Sequence, residues 1–112
     1  MSKEDSLQIA VMDYIKYQYP NILAFHVPNG GSRNVIEGAK LKRMGTLAGV
    51  SDIIMVLRDK IVCIELKIRP NKQQDTQKEF QKKVERTGHR YHVCYDIDES
   101  KRIIDQYALL YR

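Results

Sequence analysis

The chain lacks the features that mark a membrane or secreted protein. No run among its 112 residues approaches the roughly eighteen consecutive apolar residues of a membrane span, so we expect no membrane partner. The N-terminus is acidic and has no apolar stretch of the signal-peptide kind. Repeats, low-complexity tracts and linkers are also lacking. With 43% apolar and 29% charged residues, the composition predicts one soluble globular domain, residues 1–112.

Cysteine is scarce, and its placement favours neither a disulfide framework nor a zinc site. The two cysteines, Cys63 and Cys94, each lie in an apolar segment that resembles a strand. Small buried thiols are common in such segments. No Cys-x-x-Cys or His-x₃-His spacing of the kind that binds zinc occurs. We therefore expect a cytoplasmic, reducing environment.

Turn and capping signals divide the chain into helices and strands in the order α-β-β-β-α-β-α. Residues 32–49 are polar and basic, which favours a functional loop with about one helical turn at 36–42. The predicted elements are a helix with a capping box at residues 2–5 that runs to about residue 17, strands at 22–27, 51–57 and 61–68, a helix opened by a capping box at 76–79 and ended by Gly88, a strand at 91–95, and a helix capped by Ser100.

The most informative feature is an acidic residue that opens one strand, followed by an acidic and a basic residue inside the next. Asp52 closes the run Gly49-Val50-Ser51-Asp52, and Glu65 and Lys67 follow within Ile64-Glu65-Leu66-Lys67. Because strand side chains alternate between faces, Glu65 and Lys67 share a face. A hairpin turn centred near Asp59 would place Asp52 roughly opposite this pair.

This arrangement suits hydrolysis of a phosphodiester bond. Two carboxylates can hold Mg²⁺ or Mn²⁺, since hard cations prefer oxygen ligands, and the cation can activate a water and stabilise charge on the phosphate. The backbone carbonyl of Leu66 is a candidate third ligand, and Lys67 could orient the water or stabilise negative charge. The alternative is that Asp52 only begins a strand, and that Glu65 and Lys67 form an edge ladder of opposite charges.

The net charge of +5 is moderate, but its distribution is informative. Basic residues flank the acidic motif on both sides, which suits a polyanion whose phosphate must reach a cation. Basic residues at 78–90 extend this pattern or are a solvated helix face. The candidate DNA contacts are Lys40, Lys42, Arg43, Arg69 and Lys72, with Asn29 and Arg33 as either contacts or ordinary turn residues.

Taken together, these residues resemble the VRR-NUC branch of the PD-(D/E)xK, or restriction-endonuclease-like, nuclease superfamily. Ser51 stands where the family usually has proline. This difference affects how the backbone enters the strand and leaves the acidic residues of the motif unchanged. The similarity covers almost the whole chain and rests on Glu4 in the first helix, Gly30-Gly31, Gly45, Gly49-Val50-Ser51-Asp52, Glu65-Leu66-Lys67, and Gln77 eleven residues before Gly88.

The resemblance implies an α/β fold with an α-β-β-β-α-β core, in which a mixed central sheet is flanked by helices. It implies a Mg²⁺- or Mn²⁺-dependent DNA endonuclease of the standalone phage or bacterial type, located in the cytosol. Such members act as homodimers on branched DNA such as four-way (Holliday) junctions. The implied catalytic residues are Asp52, Glu65, Lys67 and Gln77, and the implied metal ligands are Glu4, Asp52, Glu65 and the carbonyl of Leu66.

Several alternatives remain open at this stage. Glu4 could be only a favourable charge on the first helical turn, Gln77 a solvent-facing helix residue, and His26 either a structural residue or one that faces the site. The chain could be a non-catalytic nucleic-acid-binding module, a monomeric flap or nicking nuclease, or an interaction domain that uses Tyr107, Leu110 and Tyr111. The homodimer prediction assumes that tyrosines of the first and last helices exceed what the core needs, namely Tyr14, Tyr17, Tyr107 and Tyr111.

Overall fold

The computed structural model describes residues 1–28 and 35–111, in which helices pack against a four-stranded mixed sheet. The predicted α/β class and the mixed sheet flanked by helices are confirmed. The elements are α1 (Lys3–Gln18), β1 (Leu23–His26), α2 (Val35–Arg43), β2 (Ile53–Leu57), β3 (Lys60–Leu66), α3 (Asp75–Arg86), β4 (Arg90–Cys94) and α4 (Ile97–Tyr111). Across the described part of the chain, no helix is both long and apolar enough to cross a membrane.

The sheet has the order β1-β2-β3-β4, with β1, β2 and β3 antiparallel and β4 parallel to β3. β2 and β3 form the predicted hairpin, and Asp59 adopts a positive φ of 58° in its turn. The register pairs Ile53 with Ile64. Asp52 and Glu65, each the next residue outward from that pair, are therefore neighbours at the open end of the hairpin, as predicted.

The two faces of β3 have different partners, and this difference positions the polar residues. Val62, Ile64 and Leu66 belong to the main core with apolar residues of α1 and α4. Cys63 and Glu65 lie on the opposite face, which α3 covers through Phe80, whose ring is 6.1 Å from that of Tyr91 on β4. Because β3 is covered on both faces, Glu65 is buried although it lies near a strand end.

Three of the four tyrosines named for the interface, Tyr14, Tyr107 and Tyr111, are used within the fold, so for these three the prediction that they exceed the needs of the core is wrong. The hydroxyl groups of Tyr14 and Tyr19 both donate to Asp105 Oδ1, at 2.5 and 2.6 Å, and join α1 to α4. Tyr107 is buried, and its hydroxyl lies 2.7 Å from His92 Nε2. Of the four tyrosines named for the interface, Tyr17 alone is largely exposed, at 87%.

Three local predictions need correction. The segment interpreted as a loop contains α2, a helix of nine residues. The cap of α3 is Gln74 and not Thr76, so the helix begins two residues earlier than the threonine indicates. α4 also begins earlier, because Asp96 Oδ1 accepts the N–H of Glu99 at 2.8 Å, while Ser100 is buried inside the helix. Asp and Ser are comparable caps, which is why the position was misjudged.

Gly49 lies in the segment before β2 and contacts the backbone of Thr76 in the first turn of α3. Its φ is +84°, and a Cβ at this position would lie 2.2 Å from the carbonyl oxygen of Thr76. A side chain is therefore excluded by both the backbone conformation and the available space. This contact sets the first turn of α3 against the segment that leads to Asp52.

We expect Gly49→Ala to lower the free energy of unfolding by at least about 2 kcal/mol, because the left-handed φ and the steric clash both oppose the native state. Gly38→Ala is the matched control, since a Cβ in α2 at this position meets nothing within 4 Å. That substitution should stabilise the protein by about 0.5–1 kcal/mol through helix propensity. Urea unfolding measures both, and equal stabilities for wild type and Gly49→Ala would contradict the contact.

Candidate active site

The predicted catalytic residues meet in one polar cleft of about 740 Å³. Asp52, Glu65, Lys67 and Gln77 line it together with Glu4, so the start of β2, the end of β3, α3 and α1 all contribute, with Asp52 directly before β2 and Lys67 directly after β3. The remaining lining residues are Asp5, His26, Pro28, Val50, Asn71, Lys72 and Gln74. The cleft lies where the open end of the β2–β3 hairpin meets the first turns of α1 and α3.

Asp52 is held by backbone groups from two neighbouring strands. Its carbonyl oxygen accepts the N–H of Val27 at 2.8 Å, which continues the β1–β2 ladder. Its Oδ2 accepts the N–H of Leu66 at 2.8 Å, so the carboxylate is directed at the end of β3. The N–H and C=O of one residue in an extended strand point to the same edge. The Leu66 carbonyl is therefore expected to point toward β2 and Asp52.

Glu65 is a buried carboxylate whose hydrogen bonding is incomplete. The residue is 2% exposed, its Oε1 has no hydrogen-bond donor as a partner, and its carboxyl group can hydrogen-bond to that of Asp52 only when one of the two holds a proton. Oε2 accepts a hydrogen bond from Gln77 Nε2 at 3.1 Å, whereas Lys67 Nζ is 4.0 Å from the same oxygen. Burial, and next the adjacent carboxylate of Asp52, raise the pKa of Glu65 above its ordinary value. The Lys67 ammonium lowers this pKa by less than burial and Asp52 raise it, so Glu65 holds a proton more readily than an ordinary glutamate when no metal cation is bound.

Gln77 connects the start of α3 to Glu65. It is the third residue of the helix, and its Oε1 accepts the N–H of Gln74 at 2.8 Å while its Nε2 donates to Glu65. The alternative that Gln77 is a solvent-facing helix residue is wrong. Because both ends of the amide are used, the side chain has one orientation, and the helix fixes the Glu65 carboxylate.

Glu4 lies in the first turn of α1 and reaches the same cleft. Burial raises the pKa of its carboxyl group, and the nearby Asp52 carboxylate is the next cause. Glu4 is thus close enough to Asp52 for the two charges to interact. Its contact with a metal stays a prediction.

The donors present fit a hard divalent cation. The unpartnered Oε1 of Glu65 is a buried acceptor in need of a positive partner, and the Asp52 carboxylate lies beside it. Within residues 1–28 and 35–111, no three His, Cys, Asp or Glu side chains are grouped so as to hold a metal by themselves. The further ligands would then be the Leu66 carbonyl, water and substrate phosphate, which is usual for Mg²⁺.

The basic residues predicted to contact DNA are in different positions relative to the cleft. Lys72 lines it. Arg69 is exposed, and its guanidinium lies 4.3 Å from the centre of the Tyr95 ring. Lys40, Lys42 and Arg43 are exposed on α2 outside the cleft, on a helix and not on the expected loop. Asn29 and Arg33 lie outside the described residues.

Sequence reasoning missed three polar residues of the cleft, namely Asp5, Asn71 and Gln74. Asn71 and Gln74 lie between the strand that carries Glu65 and the helix that carries Gln77, and this position alone could have indicated them. His26, for which a structural role and a place facing the site were both open, lines the cleft with its Nδ1 2.7 Å from the carbonyl oxygen of Asp52. No pattern in the sequence shows that contact, because it depends on the pairing of β1 with β2.

A solved structure described as a VRR_NUC domain protein is similar to this chain, with a TM-score of 0.78 and 28% sequence identity, covering 98% of this chain and 91% of that one. The likeness confirms the predicted resemblance to a VRR-NUC domain and extends over nearly the full length. No protein-family model matches the chain, and a comparison with curated proteins gives no match. By its fold this is a nuclease-like domain.

We expect Gln77→Ala to lower the free energy of unfolding by about 1–3 kcal/mol, because it removes a cap of α3 and leaves a second oxygen of Glu65 unpaired. Gln106→Ala is the matched control, an exposed glutamine on α4 whose loss should change stability by less than about 0.5 kcal/mol. Chemical denaturation measures both variants. A Gln77→Ala protein as stable as Gln106→Ala would show that the bridge to Glu65 contributes nothing.

Proposed function

We propose that the protein is a DNA endonuclease that depends on Mg²⁺ or Mn²⁺ and cleaves branched DNA such as four-way junctions. The observation that carries the proposal is the environment of Glu65. A buried carboxylate with an unpartnered oxygen lies beside a second carboxylate in an open polar cleft. This arrangement is costly for a protein alone and favourable around a cation.

Each residue of the cleft has a role in phosphodiester hydrolysis. Asp52, Glu65 and the Leu66 carbonyl would hold the cation, with Glu4 as a direct or water-mediated contact. When bound, the cation would lower the pKa of a water and polarise the phosphate. Gln77 keeps Glu65 fixed through its hydrogen bond. Lys67 is the cation that the chain itself supplies to orient the water or to stabilise charge that develops on the phosphate.

The basic residues provide a path by which DNA would reach the cleft. Lys72 is in the cleft wall and is the most direct candidate for a phosphate contact. Lys42 of α2 and Arg69 would bind phosphates further along the duplex. Lys40 and Arg43 share a face of α2 with Val35, Ile36 and Met44, so they would contact DNA only at the edge of that apolar patch. Asn29 and Arg33 are proposed as additional contacts. A net charge of +5 favours approach of a polyanion to the acidic residues that the cation would neutralise.

A non-catalytic nucleic-acid-binding module is the main alternative. The acidic cleft argues against it, because Asp52 and Glu65 would repel a phosphate in the absence of a cation. A module that only bound DNA would gain affinity if these carboxylates were removed. Removing a carboxylate of the cleft should therefore lower the cleavage rate while it retains or raises the affinity for DNA.

We expect Glu65→Gln to abolish cleavage of labelled four-way, flapped and linear DNA in Mn²⁺, while binding to the junction is retained or strengthened. Lys67→Ala should lower turnover by about 10²-fold, as loss of a group that stabilises transition-state charge. The matched control is Glu85→Gln, an exposed glutamate of α3 outside the cleft, which should cleave like wild type. Wild-type cleavage rates in Glu65→Gln, or no cleavage of any substrate by wild type, would contradict the proposal.

We further propose that the protein works as a homodimer that contacts its second copy through α2. This helix buries none of its residues, and Val35, Ile36 and Met44 are 87%, 83% and 71% exposed. A helix that packs only on its own domain turns its apolar residues inward, so this face favours an interface. A four-way junction needs two matched cuts, and two-fold assembly would supply two clefts.

Light scattering should give wild type about twice the single-chain mass of 13.1 kDa. Ile36→Asp places a charge in the proposed interface and should give the single-chain mass. Leu110→Asp is the matched control, because this leucine is 69% exposed on α4, and its variant should remain dimeric. A wild type of single-chain mass with and without junction DNA would instead favour a monomeric flap or nicking nuclease.

A further inference from the structure

His26 is the last residue of β1, and its ring lines the same cleft as Asp52 and Glu65. Nδ1 is 2.7 Å from the carbonyl oxygen of Asp52. A carbonyl oxygen can only accept, so the hydrogen in this bond is carried by Nδ1. The same oxygen also accepts the N–H of Val27. The main chain of Asp52 is thus held by two donors from the β1 side.

This bond has little to do with the packing of the core. His26 is exposed, and the ladder between β1 and β2 is already continued by Val27. The effect of the ring is local, because it fixes the peptide that follows Asp52 while Leu66 fixes the carboxylate of the same residue. Backbone and side chain of Asp52 are therefore oriented from opposite neighbouring strands, which leaves the carboxylate little freedom to turn away from Glu65.

We propose that His26 is a positioning residue for Asp52, and that its Nδ1–H holds the Asp52 carbonyl so that the carboxylate stays aimed at the cation site. The inference rests on the proposed metal-dependent function and deepens it. Groups that orient a metal ligand typically change metal affinity by about 10–100-fold when they are removed. His26 acts through Asp52 and needs no contact with substrate.

The test is a comparison of His26→Ala with His26→Asn. Alanine removes the donor, whereas the side-chain amide of asparagine offers an N–H one bond from Cγ, as Nδ1 does in histidine. Mn²⁺ binding is measured without DNA, by calorimetry, and the melting midpoint is recorded for each variant. Leu23→Ala is the control for a change on β1, because Leu23 is 60% exposed and does not line the cleft.

We expect His26→Ala to weaken Mn²⁺ binding by about tenfold, with a melting midpoint close to that of wild type, and His26→Asn to restore most of the affinity. Leu23→Ala should bind like wild type. A His26→Asn variant as weak as His26→Ala would assign the effect to the other ring nitrogen and overturn the inference. A fall in melting midpoint that accounts for the weaker binding would make His26 merely structural, which also overturns it.

The experiment separates this inference from the proposed function. If wild type binds Mn²⁺ and Glu65→Gln does not, the metal site stands, and unchanged binding in His26→Ala removes only the role of His26. If wild type itself binds no Mn²⁺, both proposals fail.

Discussion

The electrostatic repulsion between the neighbouring Asp52 and Glu65 carboxylates is the constraint on which the arrangement of the cleft depends. Burial and the neighbouring Asp52 carboxylate raise the pKa of Glu65 to about 8, so ionising both carboxyl groups together lowers the stability of the folded protein. The fold opposes that cost with donors fixed by several elements: the Leu66 N–H from β3, the amide of Gln77 from α3, and the more distant ammonium of Lys67. These donors compensate the two carboxyl groups only in part, and a divalent cation would complete the compensation.

The elements that carry these donors are held together by contacts outside the cleft. The register of the β2–β3 hairpin makes Asp52 and Glu65 neighbours, and burial of β3 on both faces removes water from Glu65. The close approach of Gly49 to Thr76 brings the start of α3 to the same point, so that Gln77 reaches Glu65. Strand register and the close approach at Gly49 thus bring Asp52, Glu65 and Gln77 together, while the connection between β3 and α3 supplies Asn71, Lys72 and Gln74 to the cleft wall.

Sequence reasoning succeeded where the relevant interactions are local and failed where they are tertiary. The hairpin and the pairing of Asp52 with Glu65 follow from strand alternation and a short turn. α2 was predicted only as about one helical turn at 36–42 within a loop, because the segment is polar and basic and the helix buries none of its residues in the core. The tyrosines of α1 and α4 were assigned to an interface because their partners, Asp105 and His92, lie far away in sequence. The contact of His26 was hidden for the same reason.

The central claim is that the Asp52 and Glu65 carboxylates hold a divalent cation, and the most direct measurement is the anomalous scattering of Mn²⁺ in crystals of the protein. The account expects an anomalous peak within about 2.5 Å of an oxygen of each carboxylate, and its loss in Glu65→Gln crystals. No peak in the cleft at saturating Mn²⁺, or a peak that persists in the variant, would contradict it.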